Sequence, residues 1–583
     1  MGASRSPLAN RAAATAALLL ALSGVGLGAP AGVAVSAASA GEPLRDEPMR
    51  WAAADRGNIP KPAKRDPSLM RDEFDETIVR PVGRLFNPVR LTRQVGAVFG
   101  GDVARPAVDV NALDEALSSS WFTNRIGLFP MTPEEVARGP LTVDGPDRSA
   151  PWKVVRAKTQ GVTSGFNVKD ARGDTYVVKF DPPCCPGSTT AAGVIAGRLL
   201  HAAGYNVSED FVVTFRREDL LLGDGVQITS AHGKKRPMTD ADLDTLLAHT
   251  PREPDGTWRA IASKFLPGEL LGPFDWKGRR RDDPFDRIKH ENRRPLRGLR
   301  MICAWLAHFD VKQHNTQDSY ITEGEKRFVK HFLFDFTATL GTGGEGPIPL
   351  ANMEYGADFS AIGGRLLALG LHEDDWRRLE LPAGLPEVGY FEADLFDPME
   401  WKSLQPNPAF ANMTERDGYW AAKIVSAFRR EQLEAAVAEG KYRDPEAARL
   451  IVRMLEARRD KVARFWFDRV PPLDFFTWDA GVLRFHDLGE ERGLYPGTTP
   501  RYRVRAAACD ARRSAGAWSE WVLTATPSAD LSALAPVTPD RSGGVAARPF
   551  LAIEASVDRG EGWSRAARFY VARAGGRVVA VDR

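Results

Sequence analysis

Five residues have the types and spacing for a shared chemistry: Lys179, Asp310, Lys312, Asn315 and Asp335. Lys179 closes the run "DTYVVKF". Asp310, Lys312 and Asn315 fall in "HFDVKQHNTQD" (308–318), an H-x-D-x-K-x-x-N pattern, and Asp335 follows an apolar run in "HFLFDFTATLG". Phosphoryl transfer from a nucleotide needs cations on the phosphates, acids to hold Mg²⁺ and a carboxylate beside the acceptor hydroxyl, with little covalent work from the protein. Five residues of extended loop between Asp310 and Asn315 let the acid face an acceptor while the amide oxygen turns back to a metal. An acid at the end of a buried strand is costly unless it binds something, which singles out Asp335. Each residue alone has a plainer reading. Lys179 snorkels from a strand end, the 308–318 loop is a polar turn after a helix, and Asp335 caps a turn. Their joint order, each in a fitting local context, is the stronger signal.

The elements that must position them are legible around them. "APWKVVRAKTQGVTSGFNVKDARGDTYVVKFDPP" alternates in the strand manner, with glycine-containing turns at 161–165 and 171–174. "STTAAGVIAGRLLHAAGYNV" predicts a small-residue helix capped by Ser188 or Thr189 and stopped at Gly204. "RAIASKFLPGELLG" predicts a strand leaving into a Pro-Gly connection. Leu299, Ile302, Trp305 and Leu306 have helical spacing just before the 308–318 loop. "RFVKHFLFDFTATLG" returns to strand-like residues. Beyond 400, "DGYWAAKIVSAFRREQLEAAVAEG" and "DPEAARLIVRMLEARRDKVARFWF" are long, capped and amphipathic, with apolar stripes that read as core. From about 495 short strands return, the last two joined at Gly575-Gly576.

In this order of elements, "VVK", "HFDVKQHN" and "DFTATLG" make the chain resemble the protein-kinase-like superfamily, in a divergent or atypical branch, over roughly 150–475. The resemblance implies an α+β, two-lobed protein-kinase-like fold with a small β-rich lobe and a large helical lobe. A C-terminal all-β, sandwich-like domain is the natural reading of the remainder. The expected boundaries are a signal peptide at 1–40, a linker and N-terminal extension at 41–150, and the small lobe at 151–270. The helical lobe follows at 271–490 and the β-domain at 495–583. By the same resemblance Lys179 contacts nucleotide phosphates with a loop bearing Gly161 and Gly165, Asp310 is the catalytic base, and Lys312 neutralises the transferring phosphate. Asn315 and Asp335 hold Mg²⁺, "SKFLPGELL" is the strand that meets adenine, and His308 is structural. ATP, or another nucleotide, with Mg²⁺ is the implied cofactor set.

The departures from the pattern are specific. Only Gly161 and Gly165 remain of a glycine-rich loop. The helix that should offer an acid to Lys179 has none between Asp181 and Glu209, with Gly193 or a neighbour on its inward face. Thr337 stands where the pattern has glycine, which restricts the turn after Asp335. Two functions follow as expectations. One is an exported phosphotransferase acting on a hydroxyl of a protein or small molecule. The other is a catalytically impaired, pseudokinase-like binding module. His308, Asp310 and His314 as a metal-hydrolase cluster lack further ligands, and no G-x-S-x-G appears.

Arg5 and Arg11, a short apolar stretch around Leu18–Leu22 and Ala38-Ser39-Ala40 have the order of a cleavable export signal. No second long apolar run follows, so the expectation is a periplasmic or secreted protein without a transmembrane segment after cleavage. The net charge of +2 argues against a dedicated nucleic-acid binder, and the basic run "KGRRRDDPFDRIKHENRRPLRGLR" is interleaved with acids. The partners expected are a nucleotide and a hydroxyl-bearing acceptor or protein. Cys184, Cys185, Cys303 and Cys509 are too few for a disulfide scaffold, lack zinc-site spacing, and permit three pairings without choosing one.

Overall fold

Strand residues with one apolar side build the first sheet. It comprises β1 (Trp152–Ala157), β2 (Gly165–Lys169), β3 (Thr175–Phe180), β4 (Asp210–Phe215), β5 (Leu220–Leu222) and, after a small hairpin of β6 (Gln227–Thr229) and β7 (Lys235–Pro237), β8 (Trp258–Lys264). The order is β4-β8-β3-β2-β1-β5. The computed structural model describes residues 42–65, 105–157, 165–229, 235–367, 373–534 and 548–583; the leader at 1–40 and Gly161 lie outside the described residues.

In β3, Tyr176, Val178 and Phe180 are buried and the alternate residues are half-buried. The buried set joins Trp152, Phe166, Phe215 and Trp258 in an aromatic core. The opposite face receives helix α1 (Ser188–Ala203), where Val194 meets Val212 of β4 and Ile261 of β8. Each of the larger aliphatic side chains buried along α1 contributes roughly 1.5–3 kcal/mol. The helix ends at Gly204 as its sequence predicts, but its start differs. Gly187 is the cap residue and makes no side-chain bond, while Asp181 accepts from the Thr190 amide at 2.9 Å and from the Thr189 and Thr190 hydroxyls. A carboxylate carries charge to the positive helix end, which the expected Ser188 or Thr189 hydroxyl does not.

Helix α2 (Arg294–Leu306) is covered on nearly every side, and its Trp305 indole donates to the Leu455 carbonyl at 2.9 Å. That carbonyl belongs to the long helix α4 (Pro445–Phe467), which with α3 (Glu415–Ser426) surrounds α2 in one continuous core. Strands β9 (Glu269–Gly272), β10 (Thr316–Glu323) and β11 (Lys326–Leu333) form a separate antiparallel sheet, order β11-β10-β9. The N-terminal arm runs along it: the Ile59 amide donates to the Arg327 carbonyl, and the Arg65 amide to the Leu271 carbonyl.

Beyond α4, β12 (Leu473–Asp479), β13 (Val482–Asp487) and β16 (Ser528–Asp530) make a three-stranded sheet. β14 (Arg501–Cys509), β15 (Val522–Thr524), β17 (Phe550–Asp558), β18 (Ala567–Ala572) and β19 (Val578–Asp582) make a five-stranded one. The two share a buried cluster in which Phe476 stacks on Phe569 at 4.0 Å. The described chain is thus a mixture of helices and mainly antiparallel sheets. None of its described helices is long and apolar enough to cross a membrane, and its four cysteines are free thiols.

Candidate functional site

Lys179 lies near the end of β3, opposite Gly165 of β2 on one side and Ile261 of β8 on the other. Strand alternation turns it away from the aromatic core, toward the face that holds α1. Its ammonium, only 13% exposed, meets Asp335 Oδ1 at 2.8 Å. Gly165 has a reason of its own to be glycine. A Cβ there would lie 2.2 Å from the Val178 carbonyl oxygen, so its absence admits β3 to close approach.

Asp335 sits two residues beyond β11 with φ 62°, a left-handed backbone rarely adopted by residues other than glycine, asparagine and aspartate. Its neighbours explain the bend. The Phe334 amide is tied to the Asn315 carbonyl at 3.1 Å, and Phe336 plunges into the interior edge-on to His308, 5.7 Å between ring centres. The chain must turn sharply between them, leaving the Asp335 carboxylate partly exposed against Lys179. The Thr337 hydroxyl donates to Asp335 Oδ1 at 2.8 Å. The threonine that departs from the sequence pattern therefore fixes the acid's rotamer. His308, buried, bonds through Nδ1 to the Ala338 carbonyl at 3.2 Å; burial holds its pKa below the usual range, so it is a neutral brace.

Helix α2 ends in Ala307 at φ 51°, and the chain runs directly into the 308–318 loop. Here Lys312 Nζ is 3.1 Å from Asp310 Oδ1. The Asn315 amide nitrogen donates to the Asp310 carbonyl at 2.8 Å and to Asp310 Oδ2 at 3.0 Å. With its nitrogen spent on Asp310, Asn315 has its amide oxygen left as a ligand atom. Burial raises the Asp310 pKa, and the like charge of Asp335 raises it further against the lowering by Lys312. The Asp310 and Asp335 carboxylates therefore stand near enough for their charges to repel. Oxygen donors of the kind Asn315 and Asp335 carry suit a hard divalent cation such as Mg²⁺.

The structure thus joins Lys179 to Asp335 and Asp310 to Lys312 and Asn315, with Gly165 backing Lys179. The helix acid is absent in space as in sequence. A Cβ on Gly193 would lie 2.7 Å from Ile261 Cδ1 and 3.4 Å from Thr337 Cγ2, so α1 approaches the sheet through bare backbone. One turn on, the position of Gly197 faces Asp210 Oδ2 and the Phe336 ring. Asp210 is a residue that sequence reasoning passed over. It is 2% exposed, and its signal was an acid opening the otherwise apolar strand "DFVVTF".

No family model matches the chain, and no curated protein matches it. Among solved structures it is similar to a Helicobacter pylori proinflammatory kinase, CtkA, at 10% identity over 54% of this chain and 98% of that one, with a TM-score of 0.28. It is also similar to the Golgi casein kinase with Mn/ADP bound, at 10% identity over 55% of this chain and 72% of that one, with a TM-score of 0.26.

Proposed function

We propose that the protein is an exported, kinase-like phosphotransferase that moves a phosphoryl group from a Mg²⁺-bound nucleotide to a hydroxyl acceptor. The observation that carries this reading is the 2.8 Å Lys179–Asp335 pair beside a loop in which Asn315 grips Asp310. In this reading the sheet of β1–β5 and β8 is the small lobe, the α2–α4 assembly the helical lobe, and the C-terminal sheets a sandwich-like domain. Export rests on the 1–40 pattern.

Lys179 binds nucleotide phosphates, and Asp335 with the Asn315 oxygen holds the cation. A Mg²⁺ ion held by Asp335 and the Asn315 oxygen would supply positive charge against the nucleotide phosphates. Asp310 accepts the acceptor's hydroxyl proton; its raised pKa makes it a stronger base than an exposed carboxylate. Lys312, already on Asp310, supplies positive charge where the transferred group arrives.

Thermal-shift titration with ATP and Mg²⁺ tests the nucleotide site. Wild type should be stabilised and Asp335→Ala should not; no shift in either protein removes the reading. Asp310→Ala should keep the shift and lose transfer, since it removes the base and leaves Lys179, Asn315 and Asp335. The second reading, an impaired binding module, is favoured by one observation: Asp335 Oδ1 is already closed by both Lys179 and Thr337. A wild type that binds ATP yet labels no acceptor selects it.

A further inference from the structure

The missing helix acid leaves Lys179 with Asp335 as its direct partner, yet Asp335 is also needed for the cation. A lysine whose counter-ion is engaged elsewhere drifts unless a second anion holds it. Asp210 stands on the same face of the same sheet. Val177, Ser263 and Asp210 form one cross-strand row, and Lys179, Ile261 and Val212 form the next. Lys179 and Asp210 are thus on a diagonal across β8, roughly 12 Å between Cα atoms, within the combined span of the two side chains.

Room for that diagonal comes from α1. Gly193 lies over Ile261 and Gly197 over Asp210, so α1 offers bare backbone at these two positions, while Val194 packs on Ile261 and Val212 beside them. The Asp210 carboxylate is only partly used by its neighbours. Ser208 donates to Oδ2 at 3.0 Å, Ser263 stands directly opposite on β8 with its hydroxyl at the carboxylate, and Oδ1 is buried without a partner within hydrogen-bond geometry. Arg198 of α1 donates from Nη2 to the Asp210 backbone carbonyl at 3.1 Å, and its buried Nε and Nη1 have no hydrogen-bond partner, so it is the rival cation that a Lys179→Met background separates from Lys179. An unpartnered carboxylate oxygen at 2% exposure is expensive unless a charge reaches it.

We infer that Asp210 is the sheet-borne replacement for the absent helix acid, a positioning residue that holds Lys179 in the cleft when Asp335 turns to the cation. This rests on the nucleotide-site reading for its purpose, and on the sheet register and the glycine face of α1 for its geometry. Burial raises the Asp210 pKa, while Ser263, Ser208, Arg198 and Lys179 pull it down.

Two measurements on the full chain decide it. The first is a double-mutant cycle on Mg²⁺-ATP affinity by calorimetry. Asp210→Asn should weaken binding about tenfold, and the loss should vanish in a Lys179→Met background, where a merely structural role would persist. The second needs no nucleotide: the rate of Lys179 acetylation by acetic anhydride at one fixed pH, read by mass spectrometry. Lys179 should react slowly in Asp335→Asn and several-fold faster in Asp335→Asn/Asp210→Asn. Equal acetylation rates in those two variants, or an affinity loss that survives Lys179→Met, overturn the inference and leave the nucleotide site standing. A wild type that binds no nucleotide, with the acetylation difference intact, fails the nucleotide reading and keeps Asp210 as the Lys179 counter-ion. If Asp210→Asn does not fold, Asp335→Asn alone decides: Lys179 reacting there as fast as a solvent-exposed lysine overturns the inference.

Discussion

Two lysines meet carboxylates in the interior of this protein, and their surroundings differ. Lys423 of α3 lies 2% exposed between Glu115 and Asp474, and Asp474 is also 2.6 Å from Arg583. Burial works against its charge, but Asp474 and Glu115 overcome that and raise its pKa. Each charged residue there pairs with at least one other, and together they bolt the 105–124 segment, α3 and β12 to one another. Lys179 has one acid in contact, more exposure, and a partner whose own backbone is held in a left-handed turn. A saturated charge cluster supports structure; a sparse one at a cleft has capacity left for a ligand.

The sharpest way to break that contrast is to remove each ammonium. Lys423→Ala leaves Glu115 and Asp474 buried without their shared cation and should cost about 3–5 kcal/mol in denaturant unfolding. Lys179→Ala should change stability by about 1 kcal/mol or less, since its pair is partly exposed, while abolishing the ATP-induced thermal shift. Comparable destabilisation by the two would erase the distinction.

Asp310 gives an intermediate effect with a defined sign. Its folded pKa is raised, so the folded chain holds this proton to higher pH than the unfolded chain does. The stability associated with that proton is complete below the ordinary carboxylate range and is lost as pH rises through the folded value. Asp310→Asn should therefore raise Tm at neutral pH by about 1–2 °C and flatten this part of the pH–stability curve. Transfer runs the other way, because the base works ionised. The acid limb of the activity profile should lie above the usual carboxylate range. A limb at or below that range would remove Asp310 from the base role.

Smaller effects sharpen the edges. Thr337→Val deletes the hydroxyl on Asp335 and should weaken Mg²⁺-nucleotide binding a few-fold with little change in Tm. Gly193→Ala pushes a methyl at the flexible end of Ile261, while gaining helix propensity over glycine. Its net cost should stay below about 1 kcal/mol, with nucleotide affinity unchanged. A large affinity loss in that variant would show that the inner face of α1 does more than keep the space open.

The parts legible in sequence are those whose cause is local. The 308–318 loop folds largely on itself, with Asn315 and Lys312 both returning to Asp310 within a few positions, so its contacts are local to one stretch of sequence. Helix α1 and its stop at Gly204, the turn at 171–174 and the final hairpin follow from periodicity and turn residues. What escaped was fixed by contacts across the chain. The Lys179 partner comes from a segment 156 positions later, a distance no local pattern spans. Asp210 drew no notice in the sequence, and only its pairing with β8 puts it on the Lys179 face. Thr337 looked like a defect because its covalent cost is visible in sequence and its bond to Asp335 is not. The α1 cap was assigned to the nearest hydroxyls, whereas Asp181, outside the helix, supplies it.

The left-handed backbone at Asp335 bears on how this position can change over time. At φ 62° the replacements that keep the backbone relaxed are glycine and asparagine, and both discard the charge. Glutamate keeps the charge but adds a methylene to a site whose Oδ1 is already measured out to Lys179 and Thr337. No single substitution preserves both the turn and the carboxylate. Residue 335 is an isolated point in the space of neighbouring sequences: drift there is abrupt, and a lineage that loses this aspartate regains it only by restoring the same residue.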